Sequence, residues 1–163
     1  MIRFPLARRV RRHQHGIGMI EVLIAVLVVS IGFLGMAALQ AKALSTNNSA
    51  MARSMATIAS YSILDAMRAD IARAGTGAYN GTVTANNCPP VGSTPTLAST
   101  QLNAWCTELG RALGAVDTTS GKISCSAAGS TSIDCTVTIQ FDDSRAGTSV
   151  GSTTQQVVTR AGL

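Results

Sequence analysis

The spacing of apolar positions along this chain changes character four times, and each change predicts a different element. From Ile17 to Leu39 the run is almost wholly apolar: 23 residues in which Glu21 is the only charge. A helix of that length spans roughly 34 Å, enough to cross a bilayer core of about 30 Å. Beyond it the apolar positions thin to helical spacing. Leu44, Met51, Met55 and Ile58 fall on one side, and Ile63, Leu64, Met67 and Ile71 form a second cluster about half a turn away. No proline interrupts the chain between Pro5 and Pro89, and alanine, methionine and leucine are frequent from Ala37 to Ala74. One long helix with two successive apolar faces is the expectation. Two helices broken around Ser45–Ser49 is the competing reading, and Gly32 and Gly35 are positions where the helix loosens. Gly75 or Gly77, after Arg73, is the expected stop.

Residues 76–99 are rich in Gly, Thr, Asn and Pro and read as a connecting loop that contains Cys88-Pro89-Pro90. Leu102, Trp105, Cys106, Leu109 and Leu113 then line one stripe of a short helix, with Ser99 or Thr100 as N-cap and Gly114 as stop. Trp105 lies within that stripe, so core packing is favoured over ligand stacking. From Lys122 the period becomes two. Ile123 and Cys125 share one strand face; Cys135, Val137, Ile139 and Phe141 share a face of the next. Ala127–Ser132 connects them as an antiparallel hairpin with one apolar side. Asp142-Asp143-Ser144-Arg145 reads as a solvated turn rather than a calcium loop, because no further ligand spacing follows. Gly147–Thr154 reads as flexible and Gln155–Arg160 as an edge strand. The fold class is therefore α+β: a long N-terminal helix, then a small antiparallel β head with a short helix.

Charge refines this picture. The formal net charge is +5, yet five of the 13 Lys and Arg (Arg3, Arg8, Arg9, Arg11 and Arg12) precede Gly16, and all eight acids follow it. Beyond Gly16 eight bases balance eight acids. The arginines thus mark topology, keeping the N-terminus cytoplasmic and the remainder outside. A general nucleic-acid face has little support, although Lys122, Arg145 and Arg160 are candidates for a local patch. A Sec signal peptide has a shorter apolar core, about 7–15 residues, although Ala41-Lys42-Ala43 imitates its cleavage site. A plain signal anchor leaves Glu21 unexplained, since a charge at the membrane centre costs about 2.5–3.5 kcal/mol.

About 90 residues remain for the head, a core small enough to need staples. Cys88, Cys106, Cys125 and Cys135 lie on the exported side, where disulfides form. Metal binding is disfavoured: there is no Cys-x-x-Cys, and the only histidines, His13 and His15, precede Gly16. No nucleophile–base set and no phosphate loop is visible, so neither an enzyme nor a cofactor is expected. Four cysteines allow three connectivities. Hairpin register brings Cys125 to Cys135, with Ile123 opposite Val137, and leaves Cys88 for Cys106. Bridges from Cys88 to Cys125 or Cys135 would instead staple the helix to the sheet.

The stretch Gly16-Ile17-Gly18-Met19-Ile20-Glu21, after a basic leader, resembles the processing site of type IV prepilins: a glycine, then an apolar helix whose fifth mature residue is glutamate. Ile17 stands where the family usually has phenylalanine, and Gly18 replaces a small hydroxyl residue. Within prepilins, Ser30-Ile31-Gly32-Phe33-Leu34-Gly35, Trp105-Cys106 and Thr136-Val137-Thr138-Ile139-Gln140-Phe141-Asp142-Asp143-Ser144-Arg145 look like PilV-type minor pilins, with Phe141 where tryptophan is common.

The resemblance implies residues 1–16 as leader, 17–39 as transmembrane and filament-core helix, 40–75 as extended amphipathic helix and 76–163 as disulfide-bonded head. It implies cleavage between Gly16 and Ile17 by prepilin peptidase, N-methylation, and an inner-membrane precursor that joins other minor pilins and the major pilin in an extracellular pilus. Glu21 would pair with the α-amino group of a neighbouring Ile17. The role implied is priming or tipping a type IV pilus for twitching motility and attachment. A minor pseudopilin of type II secretion and a DNA-uptake receptor pilin are the alternatives.

Overall fold

The computed structural model describes residues 18–127, 132–146 and 154–163. Two helices, α1 (Met19–Ala69) and the short α2 (Ile71–Gly75), precede β1 (Gly81–Thr84), α3 (Leu97–Leu113), β2 (Ser120–Ala127), β3 (Ile133–Phe141), a 3-10 turn at Ser144–Ala146 and β4 (Gln155–Gly162). The chain divides into two compact units, one ending at Gln40 and the other running Ala41–Leu163.

The helix is not broken around Ser45–Ser49. A hydroxyl side chain there is bound without leaving helical geometry: Thr46 Oγ1 donates to the Lys42 carbonyl at 3.0 Å. The break comes later. Asp70 has φ −130° and ψ 49°, outside helical geometry, so α2 starts afresh after it. Ile71 therefore lies beyond the interruption and is about half exposed, which removes it from the apolar cluster it was assigned to. Gly77 ends the run. Its φ of 81° lets Ala78 N–H reach the Arg73 carbonyl at 3.0 Å and Gly77 N–H reach the Ala74 carbonyl at 3.1 Å, the paired bonds of a Schellman stop.

The four strands form one antiparallel sheet in the order β1-β2-β3-β4. β1 corrects the reading of residues 76–99 as loop throughout. Its four residues, Gly-Thr-Val-Thr, are too few for alternation to reveal, and their stability comes from pairing with residues 120–123 of β2. α3 begins before the expected caps. Thr96 is the N-cap and Ser99 the third helical residue, and each side chain satisfies the other's backbone N–H, at 3.1 and 3.0 Å.

The core lies between the sheet's inner face and the two long helices of the Ala41–Leu163 unit. Ile123, Cys135, Val137, Ile139 and Phe141 supply the sheet side. Ala56, Ala59, Ile63, Leu64 and Met67 come from α1, and Trp105, Cys106 and Leu109 from α3. Trp105 is buried, and its indole N–H donates to the Ala59 carbonyl at 2.9 Å, so its polar edge is satisfied.

The turn after β3 differs from the solvated turn anticipated. Asp142 Oδ1 does accept from Ser144 N–H at 2.8 Å, but Asp143 is buried and its carboxylate accepts a hydrogen bond from Ser49 Oγ on α1. Residues 128–131 of the β2–β3 connection and residues 147–153, read as flexible, lie outside the described residues.

Candidate functional site

Gly16 and Ile17, the expected processing pair, lie outside the described residues. Glu21 is described, in the first turn of α1, with its N–H bonded to the Gly18 carbonyl at 2.9 Å. A carboxylate there is favoured by the positive end of the helix dipole, worth about 0.3–1 kcal/mol. Its flanks are apolar: Met19, Ile20, Val22, Leu23 and Ile24 are all exposed. From Gly18 to Ala41 the sequence holds no cation, and among the described residues the ion pair is Arg68–Asp65, at 2.6 Å. α1 is long and apolar enough to cross a membrane, and none of its most apolar window is buried. The arrangement is an apolar helical surface with one carboxylate at its start.

Within the Ala41–Leu163 unit, α1 shows two faces. Leu44, Met51 and Ile58 point away from the core, each more than half exposed. Ile63, Leu64 and Met67 are fully enclosed. The exposed side adjoins an open groove of about 490 Å³ between α1 and α3, lined by Asn48, Met51, Ala52, Met55, Glu108, Arg111 and Ala112. No nucleophile with an adjacent base lines it. Among the described residues no group of three His, Cys, Asp or Glu is placed to hold a metal.

The cysteines join in two bridges, Cys88–Cys106 and Cys125–Cys135. Cys125 lies directly opposite Cys135, and Ile123 opposite Val137. Paired bonds between Ile133 and Leu163 fix which β3 residues point their backbone groups toward β4. By alternation Cys125–Cys135 is a non-hydrogen-bonded pair, where Cα atoms come closest; here they are 4.1 Å apart. The second bridge ties the loop after β1 to the buried side of α3, since Cys106 is fully enclosed.

Lys122 and Arg160 stand on the outer face of the sheet, beside Thr138 and Thr136, on strands separated by β3. They do not converge on one site. The side chain of Arg145 is outside what the structure describes.

Four polar contacts had no signature in the sequence because their partners are separated along the chain by nine residues or more. They are Ser49 to Asp143, Arg53 to Gln155 at 3.0 Å, and Tyr79 to both Asp70 (3.2 Å) and Gln101. Burial first, then the Asp70 charge and its hydrogen bond, push the Tyr79 phenol up to about 12.

Residues 11–37 match the family model described as the prokaryotic N-terminal methylation motif. No curated protein and no solved structure matches the chain. The motif supports a prepilin-like N-terminus on a membrane-anchored precursor, of the kind that prepilin peptidase processes and that assembles with other pilins. The long apolar helix, four-stranded antiparallel sheet, short helix and two disulfides make a type IV pilin-like fold.

Proposed function

We propose that this chain is a minor pilin of a type IV pilus, held in the bacterial inner membrane until the leader is removed between Gly16 and Ile17. The mature subunit then joins other minor pilins and the major pilin in a complex that primes or tips the filament for twitching motility and attachment. The observation that carries this reading is Glu21: one carboxylate in the first turn of an otherwise apolar exposed helix, within a matched methylation motif. An ionised group on such a surface needs an opposite charge once water is excluded. The new α-amino group of Ile17 on a neighbouring subunit supplies one, four residues from the position of the carboxylate in sequence.

Mass spectrometry of the membrane and pilus fractions tests the processing step, and the expected chain begins at Ile17. A chain that begins after Ala43 would exclude the pilin reading. Glu21→Val removes the desolvation cost and the charge partner together. Insertion and cleavage should persist while incorporation into pili falls, and normal incorporation of the variant would exclude the pairing role.

A further inference from the structure

Among the described residues, the outer edge of β4 is an unpaired strand edge. Ile133 and Leu163 exchange both backbone bonds, N to O at 3.4 Å and 2.9 Å in the two directions. In an antiparallel ladder hydrogen-bonded pairs alternate with non-bonded ones. Residues 155, 157, 159, 161 and 163 therefore turn their backbone groups inward to β3, and Gln156, Val158, Arg160 and Gly162 turn theirs outward. Among the described residues no strand pairs with that side. The opposite edge of the sheet, β1, has four residues, whereas β4 has eight.

Folded proteins usually protect such an edge with proline, a bulge, charge on the edge or pointing inward, brevity, or a covering helix or loop. Of these β4 has a single edge charge, Arg160. It contains no proline, its register with β3 is continuous from Gln155 to Gly162, and its inward side chains Val157, Thr159 and Ala161 are uncharged. Its one charge is Arg160, exposed on the outer face and, among the described residues, in no ion pair.

We propose that β4 is a docking edge that accepts an extended, acidic segment of another protein as a fifth strand. Backbone groups of residues 156, 158, 160 and 162 provide the pairing, and Arg160 selects a partner with a carboxylate on the adjoining outer face. Charge argues against a second copy as occupant. β4 contains no acid, and pairing two copies antiparallel through their outward residues brings Arg160 near its own counterpart. The proposal stands apart from the pilin reading, since it requires only the sheet and its edge.

Amide hydrogen exchange on the full chain in detergent micelles tests it. The probe is a synthetic eight-residue peptide of alternating threonine and valine with one aspartate replacing a central threonine. Two controls accompany it: the same peptide with lysine for aspartate, and the aspartate peptide N-methylated on alternate amides. The expected result is that exchange at Val158 and Arg160 slows by about tenfold with the aspartate peptide and not with the N-methylated one. The lysine peptide should bind roughly two- to fivefold more weakly, the range of a cross-strand charge pair. Arg160→Glu should reverse that order.

Val158→Pro removes an outward donor while the bonds to β3 remain, so unchanged exchange at Val157 and Thr159 reports an intact sheet. That variant should not bind the peptide. Unchanged exchange at Val158 and Arg160 with the aspartate peptide would overturn the proposal. So would equal binding by the N-methylated peptide, or no change in preference in Arg160→Glu.

Discussion

At position 121 the absence of a methyl group decides how closely the sheet approaches α3. A Cβ there would stand 2.3 Å from Trp105 Cη2 and 2.9 Å from Leu109 Cδ1. Both neighbours are enclosed, so neither can swing away. Gly121→Ala should destabilise the Ala41–Leu163 unit by about 1–3 kcal/mol, the cost of overpacking a filled core. A lower urea midpoint with a shifted Trp105 emission is the expected readout, and Trp105 is the chain's one tryptophan. Tyr79 offers a pH test. Its phenol is pushed up to about 12 from an ordinary 10.0, so the unfolded chain loses that proton first. Stability should therefore be intact below pH 10 and fall between pH 10 and about 12. Tyr79→Phe should flatten this part of the stability profile in denaturant titrations. Trp105 was legible as a core residue from its stripe. Tyr79 was not, because its partners Asp70 and Gln101 come together only when the turn after α2 brings Tyr79 back against α3.

The elements differ in how far their own residues define them. β2 and β3 carry alternation strong enough to set register, and Cys125 meets Cys135 as a direct consequence. β1 lacks such a signal and exists as a strand because β2 offers it a partner. α3 is stapled by Cys88–Cys106 across a separation of 18 residues, and the hairpin by Cys125–Cys135 across 10. Restriction of the unfolded chain predicts a loss of about 3 kcal/mol for each bridge, slightly more for the longer loop. Denaturant curves of the two Cys→Ser double variants should show that order, and non-reducing peptide mapping of the wild type should find these two linked pairs. The end of α1 illustrates the limit of periodicity. Ile71 continues the apolar spacing, yet Asp70 breaks the helix before it, and the side chain ends about half exposed.

At the scale of the whole molecule, every enclosed apolar side chain among the described residues, from Ala56 on α1 to Ala146 after β3, belongs to the Ala41–Leu163 unit. A fragment of residues 41–163 should accordingly remain soluble and unfold cooperatively, with both disulfides formed. Loss of cooperative unfolding in that fragment would show that the apolar half of α1 supports the head. By itself the sequence determined whatever depends on neighbours along the chain. That includes the apolar helix with Glu21 near its start, the balance of charge, the stripe of α3, the hairpin and its register. Each is set by a local period of 3.6 or 2, or by a run of one residue class. Tertiary structure alone decided the rest: that β1 is a strand, that Asp143 is buried against Ser49, that Gly121 makes room for Trp105, and that β4 has no strand on its outer edge among the described residues. Those outcomes depend on which groups distant in sequence are brought within a few ångströms of one another, and side-chain period carries no record of that distance.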